Sequence, residues 1–379
     1  MANDKSFKVK NGLQAGRYLQ SAGTETAGSV GYDISGASYD SKSFSVASQD
    51  TSPYGITFKS DGTKMYVVGG AGDDINEYAL STAWDVSTAS YSTVFSVASQ
   101  ATFPMDIHFK TDGTSFYVSD RNLEDIFQYD MTTAWDISTA SYSSKSYAQA
   151  QSTNISGLTF NNTGSKMYIS DITGSAVYQY TLSTAWDVST ASYDSVSLSI
   201  SEGDTTPFTM TFNDDGTKLF TVDNLEFVFQ YDLTSAYDLS TASYSGTSYT
   251  LTQDASQNYG IAFKSDGTKM YIVGATSDTV YQYSTVLYTQ TLDLSTGTTF
   301  SFTPSGATTV SFTNPPASGI AIGFAVEING DGSAITWPSS VKWHLGAAPT
   351  ATASKELYTF ITVDGGTTYY GKLAGSNIA

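Results

Sequence analysis

One phrase of about fifteen residues occurs five times in the sequence, and this repeat constrains the fold more than any other feature. GITFKSDGTKMYVVG begins at Gly55 and GIAFKSDGTKMYIVG at Gly260, and looser copies begin at Asp106, Gly157 and Thr209. The copies are 51, 51, 52 and 51 residues apart, measured between their turn glycines Gly62, Gly113, Gly164, Gly216 and Gly267. A constant period over five copies indicates a repeat architecture in which each copy is one supersecondary unit.

Each copy predicts four short β-strands. The first strand alternates apolar and polar residues, so that Ile56 and Phe58 share one face. An Asp-Gly turn follows, in which glycine adopts a positive φ without steric cost, and the second strand comes directly after it. A third strand ends in tyrosine, and a fourth follows the phrase STAWDVSTASY. Four strands in about fifty residues are typical of a β-propeller blade, whereas the coils of a β-solenoid are shorter.

The two ends of the repeat predict how the blades close. The last copy ends at Tyr283 without a fourth strand, and a degenerate copy of that strand, GYDISGASYDSKSFSVASQ, precedes the first blade. We therefore predict an all-β chain with a five-bladed β-propeller over residues 29–287, closed by an N-terminal strand. From residue 288 to residue 379 a different alternating pattern predicts a β-sandwich-like C-terminal domain, and residues 1–28 would form an N-terminal arm.

Composition argues against several classes of partner. The formal net charge is −19 with 17 Lys and Arg residues, so neither nucleic acid nor an anionic membrane surface is an expected partner. The sequence has no cysteine and no apolar run long enough to cross a bilayer. Its first twenty residues lack the apolar segment of a secretory signal, so export by that route is not expected.

The repeated phrases resemble those of known protein families. FKSDGTKMY resembles the hairpins of YVTN and TolB-like propellers, and with LSTAWDVSTASY attached it looks like propeller proteins of marine bacteriophages. The third copy departs from this pattern because Asn162-Thr163-Gly164 replaces Ser-Asp-Gly, and the fourth departs at Tyr237, which replaces tryptophan. In the C-terminal part, WPSSVKW from Trp337 and the segment DGGTTYYG resemble the C-terminal β module of marine phage tail-fibre proteins, and FKVKNGL is similar to the start of virion proteins.

The resemblance implies a virion component that assembles in the host cytoplasm. Residues 1–28 would then attach to other virion proteins, and the domain of residues 288–379 would serve oligomerisation or attachment. Fibre modules of this kind are usually threefold, which implies a homotrimer. The apolar run Ile320–Ile328, with Trp337 and Trp343, offers apolar surface for such an interface.

Candidate ligand-binding residues lie where the blades differ from one another. Positions shared by all blades serve packing, and this applies to the set Trp84, Trp135 and Trp186, while Asp85 would cap a local turn. In a propeller, the loops before the first strand and after the second emerge on one face, and here they vary most. We predict a recognition site on that face formed by Tyr54, Phe103, Arg121, Phe208, Asn224 and Tyr259.

The two faces are also expected to differ in charge. Many acids lie in the variable loops, and they could hold Ca²⁺, although no EF-hand spacing is present and no cofactor is expected. The hairpin face would be more basic because its turns carry Lys59, Lys64, Lys110, Lys166, Lys218, Lys264 and Lys269.

Several functions remain open from the sequence. The leading hypothesis is a non-enzymatic phage protein of the tail or fibre apparatus that recognises a glycan or protein on the host surface. The two histidines, His108 in a first strand and His344, cannot complete a Ser-His-Asp or histidine-rich metal site. Paired carboxylates for glycoside cleavage stay possible. The alternatives are a capsid decoration or head-fibre protein, a polysaccharide depolymerase and a bacterial surface adhesin.

Overall fold

The chain folds into two compact units. The computed structural model describes residues 20–21, 26–27, 31–201, 206–254, 257–285, 288–304, 308–330 and 332–378. One unit comprises Ser29–Val286, and the other combines Met1–Gly28 with Leu287–Ala379. Among the described residues, no helix is both long and apolar enough to cross a membrane.

The first unit is a five-bladed β-propeller, as the repeat predicts. The first strands of neighbouring blades contact each other around a complete cycle, so they surround the axis. Blades one to four are sequential antiparallel sheets of four strands each. Blade one has the strands Pro53–Phe58, Lys64–Gly69, Asp74–Leu80 and Ala89–Ser96, and blade two has Pro104–Phe109, Ser115–Asp120, Asp125–Met131 and Ala140–Ala148. Blade three has Ile155–Phe160, Lys166–Asp171, Ala176–Leu182 and Ala191–Ser199, and blade four has Pro207–Phe212, Lys218–Asp223, Phe227–Leu233 and Ala242–Thr250.

The fifth blade confirms the predicted closure by an N-terminal strand. Its three inner strands are Asn258–Phe263, Lys269–Gly274 and Thr279–Ser284, and its outer strand is Ser38–Ser45. The last two strands pair antiparallel, with Tyr39 opposite Tyr283. Because the sheet is completed in this way, the ring has no open edge at the junction of its ends.

The repeated aromatic residue packs on the hairpin of its own blade. The amide of Trp84 donates to the carbonyl of Gly62 at 3.0 Å, and the glycine has a φ of +71°. A Cβ at this glycine would overlap the Trp84 ring, which excludes other residues at the turn. Trp135, Trp186 and Tyr237 repeat the arrangement, and Tyr32 supplies it for blade five. The structure therefore confirms the packing role predicted for the tryptophans.

A short 3₁₀ helix follows each of these aromatic residues, and the aspartate directly before the helix caps its N-terminus. In blade one the helix is Val86–Thr88, and the Asp85 carboxylate accepts from the amide of Ser87 at 3.1 Å. This confirms the capping role predicted for Asp85. The other helices are Ile34–Gly36, Ile137–Thr139, Val188–Thr190 and Leu239–Thr241.

Tyrosine hydroxyls join neighbouring blades. In four blades the second strand carries a buried tyrosine whose hydroxyl donates to the backbone carbonyl of the repeated aromatic residue in the next blade. The pairs are Tyr66 with Trp135, Tyr117 with Trp186, Tyr168 with Tyr237 and Tyr271 with Trp84. Blade four has Phe220 at the equivalent position, next to Tyr32. This tyrosine hydrogen bond therefore recurs at four of the five blade junctions and is missing at the junction of blades four and five.

The second unit contains two sheets that share one core, in agreement with the predicted sandwich-like domain. The six-stranded sheet has the order Gln20–Ser21, Thr299–Phe302, Ile322–Asn329, Lys355–Thr362, Tyr369–Gly375 and Val341–Trp343. The four-stranded sheet has the order Thr26–Ala27, Tyr288–Asp293, Thr308–Thr313 and Ile335–Thr336.

Two features of this unit differ from the expectations. Gln20–Ser21 and Thr26–Ala27 were expected within a separate arm, but they pair with the edges of the two sheets, where backbone groups gain hydrogen-bond partners. Residues 1–19 lie outside the described residues. The apolar run Ile320–Ile328 and Trp337 are largely used inside the unit, because Phe324, Val326, Ile328 and Trp337 belong to its own core.

Candidate functional site

Four of the predicted site residues form a continuous arc of aromatic rings. Tyr54, Phe208 and Tyr259 are the second residues of the first strands of blades one, four and five, and Phe103 directly precedes the first strand of blade two. The Tyr54 ring lies 5.6 Å from that of Phe103 and 5.2 Å from that of Tyr259, between centroids. Tyr259 stacks on Phe208 at 4.2 Å. The arc therefore lies at the end of the strands that surround the axis.

Arg121 closes the arc into a ring. Its guanidinium carbon lies 5.2 Å from the centroid of Phe103 and 5.3 Å from that of Phe208, within the range of cation–π contacts. The backbone amide of Arg121 donates to the Phe103 carbonyl at 3.0 Å, which fixes the base of the side chain. Blade three supplies the small, buried Ser156 at the position of the ring residues, and Arg121 bridges this gap between blades two and four. We call these five side chains the arginine–aromatic ring.

The guanidinium of Arg121 has no anionic partner among the described residues. Its Nε and Nη2 atoms are buried without a hydrogen-bond partner. Burial lowers the pKa of Arg121, while burial raises the pKa of Tyr54 and that of Tyr259 against an opposing influence of the guanidinium. Nine lysines lie between residues 29 and 287, and all of them form ion pairs: Lys42–Asp85, Lys59–Asp61, Lys64–Glu77, Lys110–Asp112, Lys145–Asp187, Lys166–Asp194, Lys218–Asp232, Lys264–Asp266 and Lys269–Asp40.

These ion pairs balance the charge of the lysines that the sequence places on the hairpin face. The seven lysines of the hairpins and adjoining strands each meet a carboxylate within 3.2 Å, so the hairpin face is not a free basic surface. Each pair neutralises the local charge of its lysine. Arg121 is the cation of the propeller that remains without such a pair in the described part of the chain.

The acids of the variable face are largely structural. Asp50, Asp120, Asp171, Asp223 and Asp254 are buried, and their carboxylates accept hydrogen bonds from backbone amides of the loops. Burial raises the pKa of Asp50 and that of Asp223 in spite of these bonds. Within the described ranges, no group of three or more His, Cys, Asp or Glu residues is arranged to hold a metal ion. Backbone capping therefore engages these five carboxylates, while Asp73, Glu124, Glu226 and Asp278 of the same loops are only partly buried.

The ring residues are more buried than the sequence suggested. Phe208 is 7% exposed, and Tyr54, Phe103 and Tyr259 are half-buried against one another rather than projecting from loop tips. Asn224, the sixth predicted residue, has a different environment. Its side-chain oxygen accepts from the Thr206 hydroxyl at 2.7 Å, and its carbonyl accepts from the Gln257 amide at 2.8 Å. Asn224 therefore braces the loops of blades four and five beside the ring.

The opposite end of the axis carries an open cavity of about 250 Å³. His108 lies half-buried in its lining and contacts Phe160 and Trp186, with ring centroids at 5.2 and 6.3 Å. Burial lowers the pKa of His108 to about 4, so the imidazole is neutral at neutral pH. A neutral imidazole on aromatic rings is well suited to packing and poorly suited to charge stabilisation.

Asp106, two residues earlier, is a buried group that sequence reasoning missed. Its carboxylate accepts from the amides of Ile107 at 2.8 Å and Leu158 at 2.9 Å, and burial raises its pKa to about 7. The signal was present in the repeat, because three other blades have glycine at this position and one has threonine. The carboxylate links the first strands of blades two and three.

Comparisons with known proteins add a general likeness. No family model matches the chain, and no curated protein matches it. A functionally unknown protein from Desulfotomaculum acetoxidans is 12% identical with a TM-score of 0.38, over 58% of this chain and 62% of that one. A candidate 6-phosphogluconolactonase from Bacteroides uniformis is 10% identical with a TM-score of 0.37, over 52% and 55% of the two chains. The chain thus spans little more than half the length of these proteins, and TM-scores this low carry no argument about function.

Proposed function

We propose that this chain is a bacteriophage virion protein of the tail or fibre apparatus that recognises the host surface through the arginine–aromatic ring. The virion assignment rests on the resemblance of the blade phrases and of the C-terminal segment to marine phage proteins. The recognition assignment rests on the ring itself. Its ligand would be a glycan or protein of the host cell, and its other partners would be virion proteins.

The observation that carries the recognition proposal is that the ring is built from departures between blades. The residues aligned with Tyr54 are Met105, Ser156, Phe208 and Tyr259, and those aligned with Arg121 are Gly70, Ile172, Asn224 and Ala275. Packing common to all blades requires none of these identities. Yet four rings and one guanidinium from four blades form a closed ring whose neighbouring members lie 4.2 to 5.6 Å apart. Aromatic faces beside polar groups are typical of sites that stack on sugars or on side chains.

A purely structural account of the ring predicts a different outcome in experiments. A ring that only closes the end of the axis would affect stability and leave binding to cells unchanged. The capsid and head-fibre alternatives change the location of the protein in the particle. The depolymerase alternative requires turnover of host polysaccharide, and a sugar-release assay with the purified protein would detect it.

Location is tested by electron microscopy. An antibody raised against the purified protein is applied to intact phage particles that carry it. Gold label on tails or fibres supports the proposal, and label on the head favours the capsid alternatives. Failure to detect the protein in purified phage particles by mass spectrometry would refute the virion assignment.

Recognition is tested by binding of the labelled protein to susceptible cells. Tyr54→Ala removes one ring from the arginine–aromatic ring and should reduce binding about five- to thirtyfold, which corresponds to one lost stacking contact of about 1–2 kcal/mol. Tyr91→Ala is the matched control, since Tyr91 lies in the outer strand of the same blade and is 45% exposed. Equal binding of the Tyr54 variant and wild type, with both folded, would contradict recognition through this ring.

A further inference from the structure

We infer that the arginine–aromatic ring binds an acidic saccharide, whose carboxylate or sulfate group is held by Arg121 while its sugar ring stacks on the tyrosines. This inference rests on the proposed recognition function and specifies the chemistry of the ligand. The acid group would bond to the guanidinium donors. The apolar face of the sugar would lie against Tyr54 or Tyr259.

The first argument is the unpaired state of the guanidinium. Buried polar groups in folded proteins nearly always have partners, and an exception calls for an explanation such as a bound ion. Two nitrogens of Arg121, Nε and Nη2, are buried without a partner. The N–H groups of these two nitrogens point to the same side of the guanidinium. Two donors in this arrangement can bind a carboxylate or sulfate through two parallel hydrogen bonds.

The second argument is that the aromatic neighbours do not replace an anion. Phe103 and Phe208 attract the cation through their rings, but they offer no oxygen acceptor to its N–H groups. If the ring were needed only to close the end of the axis, an apolar side chain would avoid the cost of burying a charge. The aligned residues of the other blades, Gly70, Ile172, Asn224 and Ala275, are all uncharged. Retaining a cation here is thus explained by a ligand that carries the opposite charge.

The third argument concerns the class of anion. A small inorganic ion would satisfy Arg121 but would make no use of the tyrosines. The Tyr54 and Tyr259 rings are half-buried, which leaves part of each accessible, and their hydroxyls make no hydrogen bond to another described residue. An aromatic surface with free hydroxyls next to a cation matches a sugar that bears an acid group.

The overall charge of the protein does not prevent this interaction. The chain carries a formal charge of −19, which repels a polyanion at long range. At physiological ionic strength, charges more than about 8 Å apart are largely screened, whereas the direct contact with Arg121 is much less so. Local chemistry at the ring therefore decides whether an acidic ligand binds.

The inference is tested by calorimetric titration of the full-length protein with three probes of equal length. These are an oligouronate, the same oligosaccharide after reduction of its carboxyl groups, and a sulfated galactan oligosaccharide. Wild type should bind at least one acidic probe about tenfold or more tightly than the reduced one, because a charge-assisted bidentate contact is stronger than a hydrogen bond between neutral groups. The acidic probe that binds identifies carboxylate or sulfate as the group recognised.

Variants assign the preference to Arg121. Arg121→Met keeps an apolar stem and should abolish the preference for the acidic probe, and Arg121→Lys should weaken it because lysine cannot form the bidentate contact. Lys110→Gln is the control, since it removes one positive charge from the hairpin of the same blade. An unchanged preference in both Arg121 variants, or equal binding of acidic and reduced probes by wild type, would overturn the inference.

Nuclear magnetic resonance tests the inference on the wild-type protein alone, without any variant. The sequence has two arginines, Arg17 and Arg121, so the Nε–Hε region of a ¹H–¹⁵N spectrum contains two signals. The oligouronate or sulfated probe should shift the Arg121 signal and leave that of Arg17 in place. Absence of a shift and of binding with both acidic probes at millimolar concentration would overturn the inference. Binding to host cells is measured separately, so loss of the acidic-ligand inference would leave the recognition proposal standing.

Discussion

Phe220 is the one interruption in the set of tyrosine hydroxyls that join neighbouring blades, and Phe220→Tyr should repair it. The ring of Phe220 lies 4.7 Å from Phe263 of the next blade, between centroids. The equivalent tyrosine–phenylalanine pairs lie 4.3 to 4.8 Å apart, for example 4.4 Å for Tyr66 and Phe109. A hydroxyl added at this position should therefore reach the carbonyl of Tyr32, as Tyr66 reaches that of Trp135 at 2.8 Å.

The expected gain follows from one buried hydrogen bond. Such a bond contributes about 0.5–1.5 kcal/mol net to the free energy of unfolding. In a unit of this size, a change of about 1 kcal/mol corresponds to a rise in melting temperature of roughly 2–4 °C. The gain should appear in the unit that contains Tyr32, because the new bond ties the N-terminal segment to blade four.

Urea unfolding of the full-length variant, followed by tyrosine and tryptophan fluorescence, measures this gain as a higher midpoint. Tyr117→Phe is the matched reverse variant, since it removes the hydroxyl that donates to the Trp186 carbonyl at 2.7 Å and should lower the midpoint. A midpoint that is unchanged or lower for Phe220→Tyr, together with a lower midpoint for Tyr117→Phe, would refute the equivalence of the five blade junctions.

Four further predictions concern closure, turns, pH and assembly. Deletion of residues 1–48 removes the outer strand of blade five and should lower the melting temperature markedly; an unchanged melting temperature in differential scanning calorimetry would contradict the closure. Gly216→Ala should destabilise by about 1–3 kcal/mol more than Gly246→Ala in urea unfolding, because both have positive φ but only a Cβ at Gly216 would overlap a ring. The folded-state pKa of Asp106 is raised from 3.8 to about 7, so its contribution to stability is largest below pH 4. That contribution is lost as the pH rises to 7, by up to about 1.4 kcal/mol per pH unit. Asp106→Thr, which introduces the residue type of blade four, should make the melting temperature nearly independent of pH between 4 and 7. The protein should sediment as a homotrimer, and Ile361→Asp, on the outward face of the six-stranded sheet where Ile361 is 44% exposed, should shift it toward monomer; a monomeric wild type at micromolar concentration would count against assembly.

The repeat made the propeller predictable because every blade uses the same local physics. A glycine with positive φ at Gly62 and an aromatic residue that packs on it are local requirements, and both are written five times in the sequence. The last copy of the repeat lacks a fourth strand, and one extra copy of that strand precedes the first blade. Counting the strands was therefore enough to predict how the propeller closes. Nothing about distant contacts was needed to predict the partner of Ser38–Ser45.

The environment of the candidate site could be predicted less well, because it depends on contacts between blades that the repeat does not encode. The sequence suggested that Tyr54 and Phe208 are exposed loop residues. In the structure Tyr54 packs on Phe103 and Phe208 packs on Tyr259, within one ring of side chains. The acids that looked free, such as Asp50, are used by loop amides. The contact of Arg121 with Phe208 of blade four could not be predicted from spacing, since the two residues belong to blades that are not neighbours.

The closure of blade five also sets the order in which the propeller can fold. Within blade four, Ser245 donates to the carbonyl of Gln230, 15 residues earlier in the chain, whereas in blade five Ser284 donates to the Asp40 carboxylate, 244 residues away. Closing the longer loop costs about 2.5 kcal/mol more in chain entropy. During synthesis the strand Ser38–Ser45 emerges first and must wait until Ser284 has left the ribosome. The first-made strand of the ring is therefore the last to pair, and six of its eight residues are polar or charged, which favours its solubility during that wait.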